Sequence, residues 1–357
     1  MDASHGKQEV VLVTGGAGYI GSHAAKALAA AGFRPVVYDS LSTGNGWAVR
    51  WGPLELGDIL DRDRLAEVFE AHQPVGVLHF AGLALVGESM LAPGPYFRVN
   101  VTGTLNVLDA CKAHGVSAVV FSSTCAVYGA AEQVPIVESM PTRPINPYGA
   151  SKLMAERLLE DYEVAHGLRY VALRYFNAAG ADPDGELGEA RRVETHLIPL
   201  ALDAILGRRP PLKVHGFDYP TPDGTAIRDY VHVSDLAEAH VRALSALLVG
   251  GGSRKINLGT GKGHSVREVL KTAAAVAGRP VPHQLAARRP GDPPELLADP
   301  SAAFAFLGHG MIRRSSLREI IESAWAWHTR SLQSHEEACQ RTGPAVYSGP
   351  GAPLPPR

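Results

Sequence analysis

Residues 9–21 read Glu-Val-Val-Leu-Val-Thr-Gly-Gly-Ala-Gly-Tyr-Ile-Gly, and this stretch decides the fold. A β-branched apolar run at residues 10–13 ends in a glycine cluster, and a pattern of small residues that predicts a helix follows at 22–31. A strand, a tight turn and a helix in this order form the junction that holds the pyrophosphate of a dinucleotide. The first N–H groups of such a helix have no intrahelical partner and face the anion. The stretch therefore predicts a dinucleotide site.

Three glycines in this turn have separate predicted structural roles. Gly15 allows the sharp turn, Gly18 lets the backbone approach the phosphates, and Gly21 lets the helix pack closely on the strand. Asp39 closes a second apolar strand, residues 35–38. A carboxylate at this position accepts hydrogen bonds from the adenosine ribose and repels a 2′-phosphate. The predicted cofactor is therefore NAD rather than NADP.

The composition sets limits on the class of protein. A chain of 357 residues is long enough for one large domain or two unequal ones, and a net charge of −2 excludes a strongly basic nucleic-acid-binding protein. Three widely spaced cysteines and the lack of a His-Glu-x-x-His motif predict neither a disulfide framework nor a metal site. The sequence shows no apolar signal-peptide core and no apolar run long enough to span a bilayer, so we expect a cytoplasmic protein.

Strand and helix patterns alternate through the first half of the chain. Strands are predicted at residues 54–56, 75–80, 118–122 and 170–174, and helices at 61–72, 96–114 and 148–166. Further helices are predicted at residues 195–206, 234–248, 266–277 and 317–328, and further strands at 227–233 and 255–258. This alternation predicts an α/β fold: a Rossmann-type, doubly wound parallel sheet with a smaller, interleaved C-terminal substrate lobe.

The predicted organisation has three parts. Residues 8–180 together with about 233–262 form the NAD-binding domain, and residues 181–232 together with about 263–332 form the substrate lobe. Residues 333–357 carry little apolar periodicity and are predicted to be a disordered tail.

A second decisive stretch, residues 146–152, reads Asn-Pro-Tyr-Gly-Ala-Ser-Lys. Tyr148 and Lys152 are four residues apart in a predicted helix, so both project from one face. An ammonium group beside a phenol stabilises the phenolate and lowers its pKa from about 10, which makes Tyr148 a candidate general base. Thr124 ends a buried strand and is predicted to give its hydroxyl to a substrate oxygen. The three residues form a candidate catalytic set.

Several longer motifs surround these residues. Residues 14–22 read Thr-Gly-Gly-Ala-Gly-Tyr-Ile-Gly-Ser, residues 79–89 His-Phe-Ala-Gly-Leu-Ala-Leu-Val-Gly-Glu-Ser, and residues 122–129 Ser-Ser-Thr-Cys-Ala-Val-Tyr-Gly. With Pro-Tyr-Gly-Ala-Ser-Lys at 147–152, they resemble the extended short-chain dehydrogenase/reductase superfamily. Arg-Tyr-Phe-Asn at 174–177 and Asp-Gly-Thr-Ala-Ile-Arg-Asp-Tyr-Val-His-Val at 223–233 narrow the resemblance to the UDP-glucose 4-epimerase family.

The resemblance runs from about residue 10 to residue 327 and implies a reaction without net redox change. It implies a tightly bound NAD, a UDP-sugar whose C4 is oxidised and reduced again after the 4-keto sugar has turned over, and Tyr148 as base and then acid. Two long helices, 96–114 and 148–166, resemble those that pair in dimers of the family, which implies a homodimer. No nucleic-acid or membrane partner is expected.

The resemblance also carries site residues over, position by position. The implied cofactor contacts, beyond the three glycines, are Tyr19, Ile20, Asp39, Ser40, Thr43, Gly44, Asp58, Ile59, Phe80, Ala81, Gly82, Leu83, Ala84, Tyr148, Lys152 and Phe176. The implied substrate contacts are Thr124, Asn177, His196, Leu197, Lys213, Val214, His215, Arg228, Arg289, Asp292 and Leu296. Arg228 and Arg289 also make independent physical sense, because guanidinium groups can bind diphosphate oxygens in a fork.

Four positions depart from better-known members of the family. Thr124 keeps a hydroxyl where serine is frequent, Ala84 stands where a lysine often reaches the cofactor, and His215 stands where an aromatic ring is common. Leu296 lies where a tyrosine in some members crowds the sugar 2-substituent, so we expect N-acetylated UDP-sugars to be partly accepted.

Other functions stay open from the sequence. The alternatives are a 4-epimerase for UDP-N-acetylglucosamine or UDP-pentoses, a sugar-nucleotide dehydratase, and a non-enzymatic NAD-binding protein. A dehydratase is expected to carry an acid pair after Thr124, where this chain has Cys125-Ala126. A non-enzymatic relative tends to lose the tyrosine or the lysine, and this chain has both.

Overall fold

The structure is a computed structural model that describes residues 8–289 and 292–341. The strands in this part of the chain are β1 (Val10–Thr14), β2 (Arg34–Asp39), β3 (Leu54–Leu56), β4 (Gly76–His79), β5 (Ala118–Thr124), β6 (Arg169–Tyr175), β7 (Asn177–Ala179), β8 (Leu212–His215), β9 (Ile227–His232), β10 (Arg254–Leu258), β11 (Gly263–Ser265), β12 (His283–Ala286) and β13 (Glu295–Leu296). The α-helices are α1 (Tyr19–Ala30), α2 (Arg62–His72), α3 (Val86–Leu91), α4 (Pro93–Phe97), α5 (Thr104–Ala113), α6 (Pro147–His166), α7 (Leu197–Ile205), α8 (Val233–Leu248), α9 (Val266–Ala277), α10 (Ser301–Leu307) and α11 (Leu317–Arg341).

Seven strands form one parallel sheet in the order β10-β6-β5-β4-β1-β2-β3. Side chains of β1 alternate between two apolar cores, one on each face of the sheet. Val11 and Val13 pack with α1 and α8, and Val10 and Leu12 pack with α2, α5 and α6. Because both faces are covered, β1 and β5 are buried along their whole length. The predicted Rossmann-type, doubly wound fold is therefore confirmed.

The rest of the chain builds smaller sheets beside the large one. β9 pairs with β7, β11 and β13, and β8 pairs with β12. Helices α7, α9 and α11 enclose a third apolar core that includes Ile198, Leu202, Val269 and Ile320. These elements lie beyond the carboxyl ends of β5 and β6, because β7 follows β6 almost directly. The division into two lobes at the residues given above stays a prediction.

Three element boundaries differ from the expectation. Helix α1 begins at Tyr19 rather than at residue 22, directly after the glycine turn. The predicted helix 96–114 is interrupted by a π-helical stretch, Arg98–Gly103, between α4 and α5. Helix α11 continues to Arg341, so the prediction of a disordered tail from residue 333 is wrong for residues 333–341. Good helix formers at residues 336–340 explain the extension, and residues 342–357 lie outside the described residues.

Candidate functional site

The glycine turn between β1 and α1 has the geometry that the sequence predicts. Gly15 has a positive φ of +72°, and a Cβ there would lie 2.4 Å from the backbone nitrogen of Ala81. A Cβ on Gly21 would lie 2.3 Å from the carbonyl oxygen of Gly15. Gly18 is the N-cap of α1 and offers no side chain to the first turn, which also lacks an acidic residue. The first N–H groups of α1 therefore remain available to an anion.

Asp39 lies at the carboxyl end of β2, beside this turn. Its Oδ2 accepts a hydrogen bond from the backbone N–H of Ala17 at 2.9 Å, and its Oδ1 accepts one from Leu41 at 2.8 Å. Burial raises the pKa of Asp39, and the two backbone hydrogen bonds lower it. The carboxylate is thus held in place next to the start of α1. This arrangement suits an adenosine ribose beside a pyrophosphate on the helix.

The loop after β4 is held by a residue that the sequence reasoning missed, Asn100. Its Oδ1 accepts from the N–H of Leu83 at 2.8 Å, and its Nδ2 donates to the Leu83 carbonyl at 3.0 Å and to Ser151 Oγ at 2.9 Å. Ser151 in turn donates to the carbonyl of Tyr148 at 2.8 Å. Asn100 lies in the π-helical stretch, a feature often found at functional sites. It joins a predicted cofactor loop to the helix of the candidate base.

The three candidate catalytic residues meet at the carboxyl end of β5. Tyr148 and Lys152 lie in the first two turns of α6, which Asn146 caps by accepting the N–H of Gly149 at 2.8 Å. The Thr124 side chain lies near enough to Tyr148 to lower the pKa of the phenol, and its Oγ1 accepts the N–H of Ala126 at 3.1 Å. The Lys152 ammonium donates to the carbonyl of Ser122 at 2.9 Å, and all three side chains are buried. The structure therefore assembles the predicted set.

The electrostatics of Tyr148 differ from the expectation. Burial raises its pKa above 10, the Thr124 side chain opposes the rise, and Lys152 is not among the causes of the shift. Burial also lowers the pKa of Lys152 to about 8, and the charge of Glu156 opposes this shift. The expected lowering of the phenol pKa is therefore wrong for the protein alone, because desolvation outweighs the neighbouring charges.

A buried ion pair between Glu156 of α6 and Arg174 of β6 holds α6 against the large sheet. Glu156 follows Lys152 by one helical turn and is fully buried, and it accepts two hydrogen bonds from Arg174, from Nε at 2.8 Å and from Nη2 at 2.5 Å. Ser123 Oγ donates to the same carboxylate at 2.6 Å. Arg174 Nη1 donates to Tyr128 Oη at 2.8 Å. The network fixes α6 against β5 and β6, and only the four-residue spacing from Lys152 could have pointed to Glu156.

Residues 180–196, which we call the bridging segment, connect the glycine turn to the substrate side of the site. Tyr19 Oη donates to the carbonyl of Gly180 at 2.6 Å, and Lys26 Nζ donates to both Asp182 carboxylate oxygens at 2.8 Å. Asn45 Nδ2 donates to a main-chain carbonyl of the same segment at 2.9 Å. The bridging segment is thereby fastened to α1 and to the loop after β2.

Arg191 brings a positive charge from the bridging segment into the site, and the sequence reasoning missed it. Its Nε donates to Glu189 Oε1 at 2.8 Å, and His196 Nδ1 lies 2.8 Å from the same oxygen. The charge of Arg191 opposes the rise in pKa that burial causes at Tyr148 and Tyr19. Arg191 therefore lies close to both the candidate base and the start of α1.

Two groups of carboxylates and histidine in the bridging segment could hold a metal ion by distance alone. Each already contains a protein cation. Lys26 Nζ lies 2.7–2.9 Å from carboxylates of Asp182, Asp184 and Glu186, and Arg191 contacts Glu189. We therefore propose no metal site in these groups, because the cationic side chains take the position of the ion.

The predicted substrate residues lie on the smaller sheets. Arg228 in β9 is half-buried and pairs with Asp292, while Arg289 is exposed. His215 Nδ1 lies 3.1 Å from the carbonyl of Ala287. Lys213 and His215 share one face of β8, and the side chain of Val214 points into the third apolar core, so Val214 can offer a ligand only its main chain.

The remaining predicted residues divide by exposure. Ile59 is buried in the core, against Gly103, and so its side chain cannot reach a ligand. The exposed residues are Ser40, Thr43, Asp58, Ala84 and Lys213, and the partly or fully buried residues are Ile20, Gly44, Phe80, Ala81, Gly82, Phe176, Asn177, Leu197 and Leu296. Phe80 packs against His240 with ring centroids 4.6 Å apart and the ring planes tilted by 40°. No described helix is long and apolar enough to cross a membrane.

The parallel sheet, the glycine turn and the Tyr148–Lys152 pair are together typical of a dinucleotide-binding enzyme of the short-chain dehydrogenase/reductase type. The model of the NAD dependent epimerase/dehydratase family matches residues 11–259. The UDP-glucose 4-epimerase of Rhizobium leguminosarum bv. trifolii is 53% identical over 325 residues, which cover 91% of this chain and 99% of that protein. The chain therefore belongs to the NAD-dependent epimerase/dehydratase family, and within it to the UDP-glucose 4-epimerases.

Solved structures agree with this assignment. The UDP-glucose 4-epimerase of Brucella ovis, in complex with NAD, is 56% identical with a TM-score of 0.87, and the match covers 89% of this chain and 97% of that one. The UDP-glucose 4-epimerase of Bifidobacterium longum, in complex with NAD+ and UDP, is 37% identical with a TM-score of 0.85, covering 90% and 98%. The resemblance seen in the sequence is confirmed over nearly the whole length of these relatives.

Proposed function

We propose that this enzyme is an isomerase that interconverts UDP-glucose and UDP-galactose by inverting C4, as a step of galactose metabolism. The observation that carries the proposal is the meeting of Thr124, Tyr148 and Lys152 at the end of β5. The glycine turn lies beside the same edge of the sheet, because β1 and β5 both flank β4. The activity of the relatives supports it.

The residues at the start of the chain fit NAD as the cofactor. A Cβ at Gly15 or Gly21 would meet backbone atoms, and the N-terminus of α1 is uncapped by any side chain. The dinucleotide pyrophosphate would lie on this N-terminus, and Asp39 would bind the adenosine ribose. When bound, NAD supplies the acceptor for the C4 hydride and then returns that hydride to the sugar.

Tyr148 would take the proton of the sugar 4-hydroxyl and later give it back on the other face. Thr124 would donate a hydrogen bond to the same sugar oxygen, since its side chain lies near Tyr148 at the end of β5. Lys152 is held by the carbonyl of Ser122, one helical turn from the phenol. It does not lower the phenol pKa in the protein alone, so we propose that its ammonium stabilises the phenolate once cofactor and substrate are bound. Burial makes the free phenol a weak acid, so this stabilisation has to come from charges at the site.

The substrate residues would hold the UDP part and leave the sugar free to turn. Arg228 and Arg289 can each form charge-assisted hydrogen bonds to diphosphate oxygens. Arg228 is kept in position by Asp292, and Arg289 is exposed and available. Because the 4-keto sugar would be anchored through the diphosphate alone, it could rotate and present its other face to the same Tyr148.

The direct test is NMR of the product mixture from UDP-galactose with the purified enzyme and no added NAD. We expect UDP-glucose to form without net NADH. Tyr148→Phe should lower kcat by about 10²–10⁴-fold, the usual contribution of a general acid–base group, with the NAD content unchanged. Unchanged conversion in this variant, or steady growth of NADH absorbance during turnover, would refute the proposal.

The position of Leu296 supports a broader substrate range as a second property. Leu296 pairs in register with Arg228 and packs in a cluster with Phe176 and Tyr128. Leucine is smaller than tyrosine, so we propose that the sugar pocket partly accepts N-acetylated UDP-sugars. The test compares kcat/KM for UDP-galactose and UDP-N-acetylgalactosamine in the wild type, in Leu296→Tyr and in the control Leu296→Met. No turnover of the N-acetylated sugar by the wild type would refute this.

We further propose that the enzyme is a cytoplasmic homodimer. Helices α3 and α6 carry exposed apolar side chains, among them Leu91 at 89%, Met90 at 59% and Met154 at 48% exposure. Exposed apolar groups of this size favour burial against a partner surface. Cys111 and Cys125 are free thiols, as is usual in a reducing compartment. Met154→Glu should shift the sedimentation of the protein from dimer to monomer.

A further inference from the structure

The turn between β8 and β9 contains a buried hydroxyl group that nothing in the fold uses. Tyr219 is only 5% exposed. Within residues 8–289 and 292–341, its Oη atom has no hydrogen-bond partner. Buried tyrosine hydroxyls normally have one, because an unsatisfied polar group is costly to bury. A free donor in a buried position indicates a ligand that completes it.

The ring of Tyr219 is fixed from both sides. On one side lies Gly216, with a φ of +79°, where a Cβ would come within 2.2 Å of the ring carbon Cε2. On the other side the guanidinium of Arg288 lies 4.3 Å from the ring centroid. Arg288 is itself held by Asp218, through Nε to Oδ1 at 2.7 Å and through Nη2 to the carbonyl oxygen. The hydroxyl therefore points in one direction whether or not a ligand is present.

The two residues that contact the ring adjoin the proposed substrate site in the chain, because Gly216 follows His215 and Arg288 precedes Arg289. Burial raises the pKa of Tyr219, and the charges that act on the hydroxyl are Asp292, Arg228, Arg288 and Asp218. Arg228 and Asp292 form the ion pair described above. A buried hydroxyl within the electrostatic reach of Arg228 is placed to donate a hydrogen bond to an anionic oxygen bound by that arginine.

The two adjacent arginines, Arg288 and Arg289, have different tasks in this arrangement. The guanidinium of Arg288 is committed to Asp218 and to the ring of Tyr219. Arg289 is exposed and can bind the ligand. Arg288 thus connects the loop after β12 to the turn after β8. Its role is to hold the ring of Tyr219 in place, and not to bind the phosphate itself.

We propose that Tyr219 binds the UDP-sugar by donating a hydrogen bond from its hydroxyl to the nucleoside diphosphate, and that Arg288 is the residue that positions it. This inference rests on the proposed function, because the ligand is the UDP part of that substrate. No sequence motif points to Tyr219, since its pattern is that of any aromatic residue in a Pro/Gly-rich turn. Tyr219 is identified by the structure, because its buried Oη has no hydrogen-bond partner among the described residues.

The test is isothermal titration of UDP into the NAD-loaded full-length enzyme. Tyr219→Phe removes a buried hydroxyl that bonds to no described residue, so we expect the Tm of the free protein to be equal to or higher than that of the wild type. The Kd for UDP should rise about tenfold, as for a lost hydrogen bond to a charged group, with kcat nearly unchanged and KM raised. Arg288→Lys keeps the charge and loses the planar stack, and should weaken UDP binding to a similar degree.

Tyr162→Phe is the matched control, because its hydroxyl contacts Asp109 Oδ1 at 2.5 Å, away from the site. This variant should lower the Tm and leave the Kd for UDP unchanged. If Tyr219→Phe binds UDP as tightly as the wild type, the inference is overturned and the proposed function stands. If the wild type itself binds no UDP and converts no UDP-galactose, both are overturned.

Discussion

Removing Arg174 should destabilise the protein strongly, because it would leave the charge of Glu156 buried and without its main partner. Arg174 is 3% and Glu156 0% exposed in the side chain. Arg174→Met deletes two hydrogen bonds to this carboxylate and a third to Tyr128 Oη. Lys255 Nζ, at 3.9 Å, is too far to replace them. Breaking a buried ion pair on one side typically costs about 3–5 kcal/mol.

We expect Arg174→Met to lower the free energy of unfolding by about 3–5 kcal/mol in urea titrations of the NAD-loaded enzyme. The double variant Arg174→Met/Glu156→Met removes both charges and should recover a large part of this loss, since an apolar pair of similar volume is often as stable as the ion pair. Activity should fall in the single variant because Glu156 lies one turn from Lys152 on α6. A single variant within about 1 kcal/mol of the wild type, or a double variant that is worse, would refute this reasoning.

Three further perturbations follow from the site. Burial lowers the pKa of His240 from 6.5 to about 4, so between these values the unfolded chain binds a proton that the folded one does not, and stability falls as the pH falls. His240→Phe should reduce the slope of unfolding free energy against pH in this window by up to about 1.4 kcal/mol per pH unit, measured by urea unfolding at a series of pH values, and an unchanged slope would contradict the assignment. Asn100→Ala should release the loop at Leu83 and speed the loss of NAD on dilution, whereas retention equal to the wild type would show that the loop needs no such anchor. Gly15→Ala places a methyl group 2.4 Å from the backbone of Ala81, so the purified variant should carry little NAD, and full occupancy would be inconsistent with the described turn.

The sequence predicts those parts of the site that depend on short-range patterns. The glycine turn follows from one strand–turn–helix stretch, and the Tyr148–Lys152 pair follows from helical spacing and an N-cap at Asn146. The parallel sheet with helices on both faces likewise follows from the alternation of elements, whereas the order of its strands is known only from the structure. In each case a few residues that are neighbours in the sequence are enough to predict the local structure.

The missed residues depend on contacts that the fold makes over long separations. Asn100 contacts Leu83 seventeen residues away and Ser151 on another helix, and its position depends on the π-helical stretch. Tyr219 is identified by a partner that it lacks. The pKa of Tyr148 was predicted in the wrong direction because a lysine spacing can be read from sequence, whereas the depth of burial cannot.

The fastening of the bridging segment has a consequence for how the enzyme works over many cycles. Tyr19, Lys26 and Asn45 all belong to the cofactor side, and together they hold this segment with hydrogen bonds and ion pairs that the substrate loops do not share. The loop that carries Arg289, by contrast, is secured by Arg288 at the opposite side of the substrate. If the proposed function holds, we expect UDP-sugars to exchange on the side of Arg289 while the bridging segment keeps one NAD molecule bound through successive turnovers.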